Sequence, residues 1–474
     1  MLQSAAQERE KALSRRRSCI LITVGFLGLV AGVAAFAFLT VVVLPRLPSL
    51  PSSPAPPASL PSDAPASPSP EVAATSLPGL SSQIRTSMDE IQRQVATLRG
   101  LDPLAPVQRS LLTPDELQER VSDDFLGDYT QDEADIDSRM LTLLGLLEPG
   151  VDLWTLYADL LSEQVAGYYD DEAQEMFVVR NAGFAGPERL TYAHEYDHAL
   201  QDQHYDLDEG LRYNNEACDA DGDRCAALAA LLEGDATLLE TQWLRTYATE
   251  SDLEEIQEFF GTYESPVFDG APRFLQEDLL FPYIRGLGFV TELFIEGDWA
   301  GVDEAYRQPP ASTEQILHPD RYPDDLPMAL EVPNLAATLG GGWSEARHEA
   351  LGEWYTLLTL ETVLPSDTAS DAAEGWGGDA IIVLSNEGAG KDALLLITRW
   401  DTLLDAQEFL AAFTQYGNAR FGRGTTTTTL AVWTADEAYV LFERSADQTL
   451  WILAPDQTAA EALREAIPFP AAIQ

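Results

Sequence analysis

The sequence predicts an α+β protein: a mainly helical body with one short strand pair, followed by a small C-terminal α+β unit. Three observations carry this. Apolar residues recur at three- to four-residue spacing through most of 81–363, the period of a helix buried on one side. Two short β-rich runs, 164–169 and 175–180, flank acidic turn residues Asp170 and Asp171. From about 375 the texture changes to apolar runs such as Ala380–Leu384 and Ala393–Thr398, separated by turn signals.

Taken in order, residues 1–17 are polar and carry Arg9, Lys11, Arg15, Arg16 and Arg17. Residues 18–44 follow without a charge, and about 20 apolar residues suffice to span a bilayer. The run exceeds the roughly 7–15 apolar residues of a cleaved signal, and no small-residue cleavage site follows it. A membrane anchor is expected, its basic flank keeping residues 1–17 cytoplasmic and placing the rest outside; a long cleaved signal is the alternative. Residues 45–80 are rich in Pro and Ser, a composition for an extended linker rather than a core. The expected units are therefore a tail (1–17), an anchor (18–44), a linker (45–80), a main domain (81–374) and a C-terminal unit (375–474).

The whole chain has 474 residues and a net charge of −50, from 78 acidic and 28 basic residues. That balance argues against nucleic acid or an anionic membrane surface as a partner.

Helices are expected at 81–99, 132–147, 152–164 and 226–247, and another at 272–307. Thr113, Pro114, Asp115 and Glu116 supply helix-start signals at the head of the main domain. The strand pair at 164–180 is either a shelf for an extended peptide or a plain hairpin capping the core. In the C-terminal unit, strands are expected near 427–433, 438–444 and 449–453, with helices at 404–416 and 457–466.

The stretch with chemistry is His194, Glu195, Tyr196, Asp197 and His198, which reads H-E-x-x-H. Residues four apart on a helix lie one above the other. Two imidazoles so placed can grip one zinc ion, and the adjacent Glu195 can act as general base toward a metal-bound water. Leu190, Ala193 and Leu200 give this segment an apolar stripe, and Pro187 stands near its start, so a half-buried helix is expected.

A catalytic zinc takes three protein ligands. His204 and Glu233 compete for the third place. His204 follows His198 by six residues, but Gln201 stands where a helix break would be needed to turn it back. Glu233 lies in the second long helical pattern, and Gly234 after it suggests close approach of that helix to the first. Ligand geometry favours Glu233. Thr237 and Glu240 share its face as supporting residues, and Asp235 points away. Cys218 and Cys225 close a short loop and are expected to form a disulfide in an extracytoplasmic protein. The intervening aspartates lack a full calcium ligand set.

Downstream, Ser312 and Gln315 fit a capping box for a short helix ending at His318, directly before Pro319. His318 is a candidate donor to a developing oxyanion, or else a packed histidine bonded to backbone. His348 is placed on the surface of a charged helix, 343–363.

Four stretches now stand in order: 194–204, Glu233 to Ala236, Ser312 to Pro319, and Trp376 to Asp379. Together they resemble gluzincin-type zinc metallopeptidases, and more narrowly a poorly characterised prokaryotic, membrane-tethered group of them, over roughly residues 155–465. The resemblance implies a zincin-like catalytic domain, Zn2+ as cofactor and a peptide or protein substrate. A non-catalytic extracytoplasmic binding module is the competing reading.

Overall fold

The computed structural model describes residues 80–120, 126–127, 129–180, 183–435 and 438–467. The expected tail, anchor and linker up to residue 79 lie outside these. Among the described residues no helix is long and apolar enough to cross a membrane.

The fold is mixed α+β, as the patterning predicts. The chain opens with α1 (Ser82–Arg99), capped by the Ser81 side chain at its start and by left-handed Gly100 at its end. Strand β1 (Gln108–Leu112) and α2 (Pro114–Arg120) follow. Next come α3 (Gln131–Leu144), opened by a Thr130–Glu133 capping box, and α4 (Leu153–Gln164), capped by Asp152. The hairpin is β2 (Gly167–Asp170) and β3 (Glu175–Val179). Strand β1, not legible in the sequence, pairs in parallel with β3, giving a three-stranded sheet in the order β1-β3-β2.

The helical centre is α5 (Gly186–Tyr205), α6 (Asn215–Ala220), α7 (Gly222–Thr246), α8 (Glu250–Thr262), α9 (Pro266–Gly270), α10 (Arg273–Arg307) and α11 (Thr313–Leu317). Helix α10 bends at Gly297 and Asp298, whose backbone angles are not helical. Cys218 and Cys225 are bonded, their Cα atoms 5.4 Å apart, joining α6 to the head of α7.

After a 3-10 turn (Ala336–Leu339), the second sheet begins with β4 (Ser344–Glu349), which contains His348. The expected helix over 343–363 is therefore wrong in its first half. β4 is an edge strand of mixed polarity, and its pairing with β5 comes from backbone bonds that side-chain periodicity does not reveal. Helices α12 (Gly352–Glu361) and α13 (Ser366–Ala373) lead to β5 (Trp376–Asn386), β6 (Lys391–Trp400) and α14 (Leu403–Phe421). The chain then runs through β7 (Thr425–Thr426), β8 (Leu430–Ala435), β9 (Ala438–Ser445), β10 (Gln448–Ala454) and α15 (Gln457–Ala466).

This antiparallel sheet has the order β4-β5-β6-β10-β9-β8-β7. It is apolar on both faces, so successive residues enter different cores. Ile381, Val383 and Phe442 pack with Phe409 and Phe413 of α14. Ile382, Leu384 and Ile452 pack with Ala460 and Leu463 of α15. The first of these cores is continuous with the helical body, through residues such as Leu231, Leu287 and Trp354.

Candidate metal centre

Helix α5 is built differently from its neighbours. It is covered on nearly every side, with Leu190 through Gln201 all buried, rather than half-buried as its apolar stripe suggests. Helices α1, α7 and α8 and strands β2 and β3 surround it. Glu188 accepts from the Ala185 N–H at 3.0 Å, and Pro187 occupies the first turn. Gly167 lets β2 lie against it: a Cβ there would sit 2.7 Å from Thr191 Cγ2 and 3.2 Å from Glu195 Cγ.

Helix α7 packs against α5 on one side and closely against α10 on another. A Cβ on Gly234 would lie 2.3 Å from the carbonyl of Gly286, and one on Gly286 would lie 2.1 Å from the Ala230 oxygen. Close approach thus explains Gly234, but toward α10 and not toward the helix of the H-E-x-x-H stretch.

This packing brings His194, His198 and Glu233 together; each offers a ligand atom within 4.8 Å of the others. His194 Nε2 is 3.1 Å from Glu233 Oε2 and 3.2 Å from His198 Nε2, and His198 Nε2 is 3.4 Å from Glu233 Oε2. Donors bonded to a tetrahedral zinc at about 2.0–2.1 Å stand roughly 3.3–3.4 Å from one another. The three atoms therefore fit one face of such a tetrahedron, and the His2Glu set matches that of catalytic zinc, which keeps a fourth position for water.

The far nitrogens are also held. His194 Nδ1 meets Glu240 Oε2 at 3.1 Å, and His198 Nδ1 meets Gln201 Oε1 at 2.8 Å. The His194 ring stacks on Tyr283 of α10, centroids 6.3 Å apart. Burial works against the Glu233 carboxylate, yet the two imidazoles hold it down at about 2. Burial pushes Glu195 up to about 7, with His194 and His198 pulling the other way. Glu195 is 1 % exposed, and its Oε2 has no hydrogen-bond partner among the described residues. A buried carboxylate oxygen so placed is free to bond a water or substrate group.

His204 is not brought to this centre. Helix α5 runs on through Tyr205, and His204 Nε2 donates to the Asp102 carbonyl at 2.8 Å. His318 also lies elsewhere. Its Nε2 donates to Glu353 at 2.8 Å, and the charges that act on it are those of Glu353, Arg321 and Glu374. The expectation of an oxyanion donor gives way to a histidine fixed in a second polar cluster. The expected capping box differs too. Ser312 makes no side-chain cap bond; Gln315 accepts from the Ala311 N–H, and Asp223 of α7 accepts from Thr313.

Sequence reasoning missed the layer beneath α5. Arg99 of α1 is 1 % exposed and donates to Asp235 at 2.9–3.1 Å and to Asp303 at 2.7 Å. Tyr306 adds a bond to Asp235 at 2.7 Å. Asp235 does point away from Glu233's partners, and this buried ion pair is its destination. No local signal marks Arg99, whose partner is 136 positions away.

In comparison with known proteins, residues 338–464 match a family model described as a domain of unknown function, DUF8575. The match covers the C-terminal sheet and none of the three converging residues. No curated protein and no solved structure matches the chain.

Proposed function

We propose that the chain is a zinc-dependent peptidase of the gluzincin type, tethered through residues 18–44 with its folded part outside the cell. The supporting observation is the convergence of His194, His198 and Glu233 at 3.1–3.4 Å, beside Glu195, whose buried Oε2 has no hydrogen-bond partner among the described residues. A bound zinc supplies a Lewis acid and lowers the pKa of its water to about 7. Glu195 would be the base that takes a proton from the attacking water and the acid that returns it to the leaving amine. Glu240 and Gln201, bonded to the two Nδ1 atoms, would leave both Nε2 atoms to hold a metal. The net charge of −50 favours peptide substrates over nucleic acid.

The test is zinc content and peptide hydrolysis of the purified chain and of Glu195→Gln. The expected result is about one zinc per chain in both, with hydrolysis lowered by roughly 10²–10⁴-fold in the variant. Unchanged hydrolysis would reject the role of Glu195.

A second reading, a closed non-catalytic metal centre, draws on the burial of the site. The His194, His198 and Glu233 side chains are 3 %, 10 % and 2 % exposed. A hydroxamate probe separates the two readings: a cobalt-loaded chain whose visible spectrum shifts on adding it has an open position, and one that does not shift is closed.

A further inference from the structure

Gln201 occupies the space between α5 and α7 and is completely buried. Its amide nitrogen donates twice, to Asp197 Oδ2 at 3.2 Å and to the Leu232 carbonyl at 3.1 Å. The opposite amide orientation would set its oxygen against a carboxylate and a carbonyl oxygen in a buried site, where neither offers it a hydrogen. Two acceptors on one side therefore commit Oε1 to the other side, where His198 Nδ1 lies at 2.8 Å. An oxygen acceptor there requires the hydrogen on Nδ1. Nε2 then keeps its lone pair, directed at His194 Nε2 and Glu233 Oε2.

We infer that Gln201, oriented by Asp197 and the Leu232 carbonyl, is the positioning residue that fixes the tautomer of His198 and couples its ring to the third ligand's helix. The inference rests on reading the triad as a metal site, and it does not require that the site be a peptidase. The functional unit is accordingly longer than H-E-x-x-H. Asp197 and Gln201 are four apart on the same helix face, and His198 and Gln201 three apart. Leu232 precedes Glu233, so one amide holds the second ligand's ring and the backbone beside the third. His194 has a simpler arrangement, because a carboxylate such as Glu240 can only accept from its Nδ1.

The experiment measures zinc affinity of the full chain by chelator competition, for wild type, Gln201→Leu and Glu233→Gln, with the apo melting midpoint of each. Ring-nitrogen NMR of the zinc-loaded wild type is recorded alongside. Expected are a 10–100-fold weaker zinc affinity in Gln201→Leu, the cost typical of outer-shell partners, and a larger loss in Glu233→Gln. In the wild type, the His198 Nδ1 proton should be protected from exchange, and in Gln201→Leu it should exchange freely. Wild-type affinity in Gln201→Leu overturns the inference and leaves the triad standing. A freely exchanging Nδ1 proton in zinc-loaded wild type overturns it even if the variant does not fold. A wild-type chain that takes up no zinc while Glu233→Gln melts like it overturns the metal reading itself, and the inference with it.

Discussion

At the crossing of α5 and α7, two imidazoles and Glu233 face one another across 3.1–3.4 Å, and no arginine pairs with Glu233 among the described residues. At the foot of α11 a second set gathers: His318, Glu353, Glu314, Asp325 and Asp401. There Arg321 sits among the carboxylates, 2.6 Å from Glu314 and from Asp401 and 3.5 Å from Asp325. Glu314, Asp325 and Asp401 also bring ligand atoms within 4.8 Å of one another. Their centre, however, already holds a guanidinium. Both sets arise from stretches that stand out in the sequence. What separates them is whether a guanidinium sits among the donors. The first leaves three donors converging on a point; the second is an ion-pair cluster that ties α11 to the loop after β6.

Changes at the first set should act on metal and those at the second on stability. The largest effect is expected for Glu233→Gln or His194→Ala, with zinc affinity falling by more than the roughly 100-fold upper range of outer-shell changes; metal analysis after dialysis reads it. Arg321→Ala should leave zinc content unchanged. It strands Glu314, which is completely buried, and should cost about 2–4 kcal/mol in urea unfolding. That lies somewhat under the roughly 3–5 kcal/mol of a fully buried broken pair, because Arg321 is 20 % exposed. Zinc loss in Arg321→Ala would erase the distinction between the two sets.

Gly234→Ala tests the packing on which convergence depends. The added Cβ meets the Gly286 carbonyl at 2.3 Å, so α7 and α10 must separate. A loss of about 1–3 kcal/mol is expected, together with weaker zinc binding because Glu233 moves with the helix. A stability loss with unchanged zinc affinity would show that the donors adapt.

A further effect is a pH slope. Burial pushes Asp223 up to about 8 and Asp379 up to about 7. Asp223 accepts from Thr313 at the head of α11, and Asp379 from the Leu351 and Gly352 N–H groups. A carboxyl held above its unfolded value of about 3.9 binds more protons in the folded chain over that interval. Its contribution is therefore present at low pH and lost as pH rises toward the folded value. Unfolding free energies measured from pH 5 to 8.5 should fall with pH, and the slope should be shallower in an Asp223→Asn, Asp379→Asn double variant. An equal slope would mean that other groups, Glu314 among them, set it.

Much of this was legible before any coordinates. The capping signals and three- to four-residue periods located α1, α4, α7, α10 and α15 to within a few residues, because these signals act within a turn or two of the chain. The H-E-x-x-H spacing and the preference for Glu233 over His204 follow from helix geometry, and the helix does run on through Tyr205. β4 and β1 escaped notice, since short strands that take their order from backbone pairing carry weak side-chain patterns. The bonds that fix His318 and Thr313 run to Glu353 and Asp223, 35 and 90 positions away, and no local window of the chain records them.

The sequence by itself determined the local geometry: two imidazoles a helical turn apart, a glutamate beside the first, and a second helix able to carry a third ligand. Tertiary structure alone decided which donors meet. It did so through the Gly234–Gly286 contact that seats α7, the buried Arg99 that neutralises Asp235, and Arg321, which fills the other cluster. Spacing along one helix is fixed by backbone hydrogen bonds. Convergence between helices depends on packing and charge compensation among residues far apart in the chain, and no short window of sequence records it.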